Sequence, residues 1–185
     1  MKVTGLKETI LCAGTFDTPR LMLLSGIGPR KDLEDFEIPV VNDLPGVGEN
    51  LMDHPETIIT WELYEPLEDK TVMWADAALL ARREPTNING DDSTVPDAMM
   101  HIYTIPFDVY QAAMGFEMPK NIFSLTPNVP RSRSRGKVSL KSADPTEHPA
   151  IDFSYYTDPE GYDEKTIVWS FRAARNIVAQ HPLKK

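Results

Sequence analysis

Asp53-His54-Pro55-Glu56 places three ionisable side chains within four residues, directly before the apolar run Thr57-Ile58-Ile59-Thr60-Trp61. Two carboxylates and an imidazole at the mouth of a strand can form one wall of a site that needs fixed negative charge. They can equally form a loop that prefers water, and spacing alone favours the loop. His101 is the second candidate. It follows Met99-Met100 inside an apolar stretch, where a histidine is most often a hydrogen-bonded core residue. It becomes interesting only if other polar groups converge on it. His148 and His181 each precede proline in polar surroundings and read as surface residues. No two of the four histidines have metal-ligand spacing, so no metal site is expected. Arg131, Arg133 and Arg135 could receive a phosphate, but in so acidic a chain they read better as structural ion-pair partners.

Several chemistries are excluded by what the sequence lacks. Gly26-Ile27-Gly28 and Gly46-Val47-Gly48 begin a dinucleotide-binding pattern, but Lys31 and Leu51 stand where its third glycine belongs. Each stretch reads as a turn. No Gly-x-Ser-x-Gly elbow is present, which argues against a serine hydrolase. The net charge is -9, from 28 acidic and 19 basic residues. That argues against nucleic acid or an anionic membrane as partner, since both need a basic surface. The single cysteine, Cys12, rules out an internal disulfide framework and fits a reducing compartment. No apolar run approaches the ~18 residues of a membrane span.

The elements that must position these residues read as α+β. Residues 8–12 read as a short strand. Thr18-Pro19 reads as a helix start, with Thr18 as N-cap and Pro19 in the first turn. A short polar helix is expected over 30–36, and a strand over 38–41. Residues 57–64, 99–105, 121–128, 136–140 and 151–153 read as further strands. The spacing predicts a helix over 70–83, carrying Val72, Trp74, Leu79 and Leu80, then a polar loop over 84–94. The clearest helix is 163–180, with Ile167, Val168, Phe171, Ala174, Ile177 and Val178 at helical spacing.

The stretch Gly14-Thr15-Phe16-Asp17-Thr18-Pro19-Arg20-Leu21-Met22-Leu23-Leu24-Ser25-Gly26-Ile27-Gly28-Pro29 resembles a signature of the glucose-methanol-choline (GMC) oxidoreductases. The likeness continues through Leu44-Pro45-Gly46-Val47-Gly48-Glu49-Asn50-Leu51-Met52-Asp53-His54-Pro55. It resumes at Ser134-Arg135-Gly136-Lys137-Val138 and at Pro149-Ala150-Ile151-Asp152. Within the family, His54-Pro55-Glu56, Pro96-Asp97-Ala98-Met99-Met100-His101 and Phe123-Ser124-Leu125-Thr126-Pro127-Asn128-Val129 are similar to the choline-oxidase branch.

This resemblance implies the end of an FAD-binding α/β domain over residues 1–50. Over residues 51–185 it implies most of a substrate-binding domain, with a mainly antiparallel sheet and flanking helices. It implies FAD as cofactor, with cofactor contacts at Ala13 and Gly14. Choline or a similar amino alcohol would be the substrate, and oxygen the electron acceptor. The alcohol would lose its hydroxyl proton and pass a hydride to the flavin, giving betaine aldehyde and then glycine betaine. By the same resemblance Glu56 faces the trimethylammonium group, Trp74 and Phe107 form aromatic walls, and His101 is catalytic, holding the hydroxyl or its alkoxide. The family's Gly-x-Gly-x-x-Gly fold and its C-terminal catalytic histidine segment have no counterpart here. The chain alone is therefore expected not to turn over. A homodimer of the complete enzyme is a further expectation, as is a cytoplasmic location with a peroxisomal one left open. Two other classes stay open beside the enzyme: a non-catalytic module that binds quaternary ammonium, and a structural partner of a separate flavin domain.

Overall fold

The computed structural model describes residues 4–66, 75–83, 95–104, 108–117 and 119–180. In chain order the elements are α1 (Gly14–Leu24), β1 (Ile27–Gly28), α2 (Arg30–Glu34), β2 (Asn42–Asp43), β3 (Glu49–Leu51), β4 (Ile59–Glu62), β5 (Ala75–Ala81), β6 (Ala98–Tyr103), α3 (Asp108–Ala113), β7 (Ile122–Asn128), β8 (Gly136–Ser139), β9 (Ala150–Asp152) and α4 (Tyr162–Val178). They form two units. One comprises Met1–Met52 with Ser134–Tyr155, the other Asp53–Arg133 with Tyr156–Lys185.

In the first unit, α1 ends where Ser25 Oγ donates to Leu21 O at 2.6 Å and Gly26 turns the chain at φ 79°. A Cβ on Gly26 would lie 2.2 Å from Pro39 O, so only glycine fits this turn. The Gly26 carbonyl then accepts from Val41 N and Asn42 N, which starts the parallel β1–β2 pair. Leu23 and Leu33 are buried beside Gly28. A separate antiparallel sheet, in the order β3-β8-β9, carries Val138 into the interior. Lys137 Nζ bridges Asp32 at 2.8 Å and Glu49 at 2.9 Å, tying α2 to this sheet. Arg20 reaches the carbonyls of Pro145 and Glu147 and so holds the turn before β9.

The second unit is a four-stranded antiparallel sheet in the order β4-β7-β6-β5. Met100 and Leu125 pack against Ala174 of α4, with Ile59, Trp61, Ile102, Phe123, Ile177 and Val178 around them. Asp158 caps α4 by accepting from Tyr162 N at 2.5 Å and Asp163 N at 3.2 Å. Asp163 is fully buried. It accepts from Ser132 Oγ at 2.6 Å and from Arg133 N at 2.8 Å, pinning the segment after β7 to the helix. Arg133 also pairs with Glu160 and lies 3.8 Å over the Tyr162 ring. The structural reading of that arginine therefore holds.

The structure is α+β, but several sequence expectations fail locally. Residues 8–12 form no strand; they are exposed and have no ladder partner among the described residues. Thr18 is not an N-cap. The helix already begins at Gly14, Pro19 lies inside it, and Thr18 Oγ1 accepts from Ala13 N at 3.0 Å. The strand expected at 38–41 is displaced to Asn42–Asp43 by the Gly26 turn.

The helix expected over 70–83 is instead strand β5 from residue 75 onward; residues 70–74, like the polar loop expected over 84–94, lie outside the described residues. Its alanines favour a helix locally, but pairing with β6 from Ala75↔Tyr103 to Ala81↔Ala98 overrides that preference. Helix α3 was not anticipated. On α4, Val168 and Phe171 are exposed, and the buried stripe runs instead through Asp163, Thr166, Ile167, Ser170 and Ala174.

Because Asp163 is buried and accepts from Ser132 Oγ and Arg133 N, Asp163→Ala should remove both bonds and lower stability by about 2–4 kcal/mol. Urea denaturation of the variant beside the parent chain measures this; an unchanged midpoint would contradict the role assigned to Asp163.

Candidate active site

Strand alternation sorts β7 into two faces. Phe123 and Leu125 belong to the core that packs against α4. Ser124, Thr126 and Asn128 lie on the other face, and all three are buried. The register fixes their neighbours. Tyr103 pairs with Ser124, His101 with Thr126, and Met99 with Asn128. On the opposite flank Thr60 pairs with Ser124, and Glu56 forms an isolated bridge with Asn128. One face of the sheet therefore carries Glu56, Thr60, Ser124, Thr126, Asn128, His101 and Tyr103. The neutral side chains among them would be costly to bury without partners.

Their contacts are partly satisfied. Thr60 Oγ1 and Ser124 Oγ are 3.0 Å apart, and Gln111 of α3 donates to Thr60 Oγ1 at 3.2 Å. Asn128 Nδ2 donates to Glu56 Oε2 at 3.3 Å. Among the described residues, Thr126 Oγ1, Asn128 Oδ1 and Gln111 Oε1 are buried without a hydrogen-bond partner. Unmet polar atoms gathered on one face mark a place kept for something other than packing.

Glu56 is held on this face by backbone. Thr57 N donates to Pro127 O at 2.9 Å and Val129 N donates to Pro55 O at 3.1 Å, so the chain is stitched on both sides of it. Its side chain is exposed. His101 is half-buried, its ring centroid 6.0 Å from that of Tyr103. Burial, and then the Glu56 charge, raises the Tyr103 phenol above its ordinary value of 10.0. From strand spacings, Glu56 and His101 stand two strands apart, about 10 Å across, and one side-chain step along, about 7 Å. Their Cα atoms are thus about 12 Å apart on the diagonal. That leaves room for a small molecule with different groups at its two ends.

The structure thus brings Glu56 and His101 to one face. Asp53 and His54 are exposed at the start of the same unit. Trp74 and Phe107 lie outside the described residues. Ala13 and Gly14 lie in the first unit, at the N-terminus of α1. Gly14 has φ 82°, and a Cβ there would meet nothing within 4 Å. No side chain caps this end, and Thr18 Oγ1 takes only the Ala13 N–H. The first-turn N–H groups of α1 therefore suit an acceptor from outside the helix, such as the carbonyls or diphosphate of a bound cofactor. Ile10 and Leu11 beside it are exposed.

Sequence reasoning missed Tyr103, Thr126 and Asn128. The signal was available in Ile122–Asn128, where every second residue from Ser124 onward is polar inside an otherwise apolar strand.

The fold defined by these units recurs in solved structures of other proteins. Solved structures of pyridoxine 4-oxidase from Mesorbium loti (TM-score 0.74, 22% identity) and of formate oxidase (TM-score 0.75, 20% identity) superpose on it. They cover 92% and 93% of this chain, which in turn covers 32% and 39% of theirs. Residues 1–56 match the N-terminal, and residues 132–185 the C-terminal, model of the GMC oxidoreductases; the chain belongs to that family. It is 41% identical over 179 residues to the choline oxidase of Arthrobacter globiformis, covering 97% of this chain and 32% of the relative. It is 33% identical over 202 residues to the oxygen-dependent choline dehydrogenase of Paraburkholderia phymatum, covering 97% of this chain and 33% of the relative. The chain thus spans about a third of the length of these relatives. The family is FAD-dependent. No helix among the described residues is long and apolar enough to cross a membrane.

The raised Tyr103 phenol gives a direct test of the arrangement. Glu56→Gln removes the negative charge and should lower the phenol's titration point while leaving it above 10.0, because burial is the larger cause. Ultraviolet titration of the parent and of Glu56→Gln, each referenced to a Tyr103→Phe counterpart, reads this. Identical titration with and without the Glu56 charge would place Glu56 away from Tyr103.

Proposed function

We propose that this chain supplies the substrate side of an FAD-dependent alcohol oxidoreductase that acts on choline or a similar amino alcohol. Residues 1–50 correspond to the tail of the FAD-binding domain, and 51–185 to the substrate-binding domain. The observation that carries the reading is the shared sheet face of Glu56 and His101, with buried polar side chains between them. The 41% identity to a choline oxidase supports the substrate class.

The chemistry follows from the two ends of choline. A quaternary ammonium donates no conventional hydrogen bond, so its recognition depends on negative charge and aromatic faces. Glu56 supplies the charge. By family resemblance Trp74 and Phe107 would supply aromatic walls, and Tyr103 carries a ring on the Glu56 face. The hydroxyl end needs a partner that can hydrogen-bond an oxygen as it becomes alkoxide. His101 serves there as the catalytic residue of this chain, stabilising the oxygen while its proton leaves. Anchoring both ends fixes the α-carbon in one place, which is the protein's main contribution to such chemistry. FAD, when bound, supplies the hydride acceptor, and oxygen takes the electrons away. Gly14 would contribute its backbone N–H to its site, and Ala13, whose N–H is taken by Thr18, would line it.

In the flavin-loaded protein that contains this chain, Glu56→Gln should raise KM for choline by about 10–100-fold, the loss of one partly exposed charge contact. It should change kcat much less. His101→Ala should instead lower kcat by about 100-fold or more, the cost of one stabilising donor. Choline-dependent oxygen consumption measures both. An active enzyme indifferent to Glu56→Gln would move the substrate away from choline.

The isolated 185-residue chain should release no peroxide with choline and FAD. Turnover by the pure chain would overturn that expectation.

A further inference from the structure

Glu56 is exposed, and a free glutamate side chain spreads over many rotamers. A cation is bound best by a carboxylate already held in place. The structure contains the group that holds it. Asn128 is 1% exposed, sits directly across the backbone bridge from Glu56, and donates from Nδ2 to Oε2 at 3.3 Å. The backbone on either side is locked by the Thr57–Pro127 and Val129–Pro55 hydrogen bonds, so the amide cannot drift from the carboxylate.

The chemistry of the anchor matters as much as its position. Asn128 is neutral, so it fixes one oxygen of Glu56 without cancelling the charge, as an arginine or lysine would. Among the described residues, Oε1 has no hydrogen-bond or ion-pair partner and keeps its acceptor capacity. On the other side of the amide, Oδ1 is buried with no partner among the described residues. A leucine of similar shape would avoid that cost, because a buried unmet acceptor lowers stability. An asparagine kept here works against packing and for the carboxylate.

We propose that Asn128 is a positioning residue: it aims the Glu56 carboxylate and thereby sets the preference of this site for quaternary-ammonium alcohols over neutral alcohols of the same shape. The proposal rests on Glu56 as the ammonium partner. His101, at the other end of the face, is untouched by it.

The test compares the parent with Asn128→Leu, Glu56→Gln and the double variant, all in the flavin-loaded protein that contains this chain. Choline is set against 3,3-dimethylbutan-1-ol, its uncharged isostere. Tetramethylammonium binding by calorimetry gives a readout independent of turnover. Asn128→Leu should raise KM for choline and Kd for tetramethylammonium by about tenfold, the scale of one hydrogen bond to a charged group. KM for the isostere should change by no more than about twofold, within the scatter of a substitution that touches no charged contact. Tm should not fall. The double variant should be no worse than Glu56→Gln, because both act through one contact. Asn128→Ser, whose shorter hydroxyl falls short of the carboxylate, should show the same selective loss and serves if the leucine variant fails to fold.

Equal losses for choline and its isostere would reduce Asn128 to a structural role and overturn the proposal. So would additive losses in the double variant. Selectivity that responds to Glu56→Gln but to neither Asn128 variant overturns the positioning role alone. Indifference to Glu56→Gln itself removes the reading of Glu56, and the positioning role with it.

Discussion

A central strand that buries polar side chains is the constraint on which this unit depends. β7 sends Phe123 and Leu125 into the apolar contact with α4, and Ser124, Thr126 and Asn128 to the opposite face. An apolar sequence on that second face would fold at least as well. The polar one must be satisfied by whatever flanks it. Thr60, which also accepts from Gln111, meets Ser124, and Glu56 meets Asn128. His101 and Tyr103 then stand beside the remainder because the β6–β7 register leaves them no other place. Register, not local loop geometry, is what brings a carboxylate and an imidazole to one surface.

The same constraint explains how the two ends of a ligand can be told apart. Glu56 belongs to the margin of the sheet, where its side chain keeps contact with water. His101 lies further in, half-buried between Thr126 and the ring of Tyr103. In the proposed function, charge is recognised at the margin and oxygen chemistry is placed inward. A second anchor, the buried Asp163, fastens the segment leaving β7 to α4, so the polar strand is held at its end as well as along its length.

Much of this was legible from residues alone. β6, β7 and β8 read as strands because their apolar residues come in short runs bounded by turns, and α4 read as a helix from its long 3.6-residue period. β5 did not, because its alanines and leucines prefer helix until β6 offers a ladder. The α1 start was misplaced because Thr18-Pro19 looks like a cap, whereas Thr18 reaches back to Ala13 from inside the helix. Glu56 and His101 came from family resemblance; spacing alone favoured a solvated loop and a core histidine. Asn128 escaped notice because its meaning lies in a partner 72 residues away. No local pattern encodes that bridge.

The most direct measurement is a structure of the flavin-loaded protein that contains this chain, bound to choline. The trimethylammonium group should lie against the Glu56 carboxylate, with Asn128 still bonded to that carboxylate, and the hydroxyl should turn toward His101. Choline bound elsewhere, or bound on this face with its hydroxyl against Glu56 and its ammonium against His101, would contradict this placement.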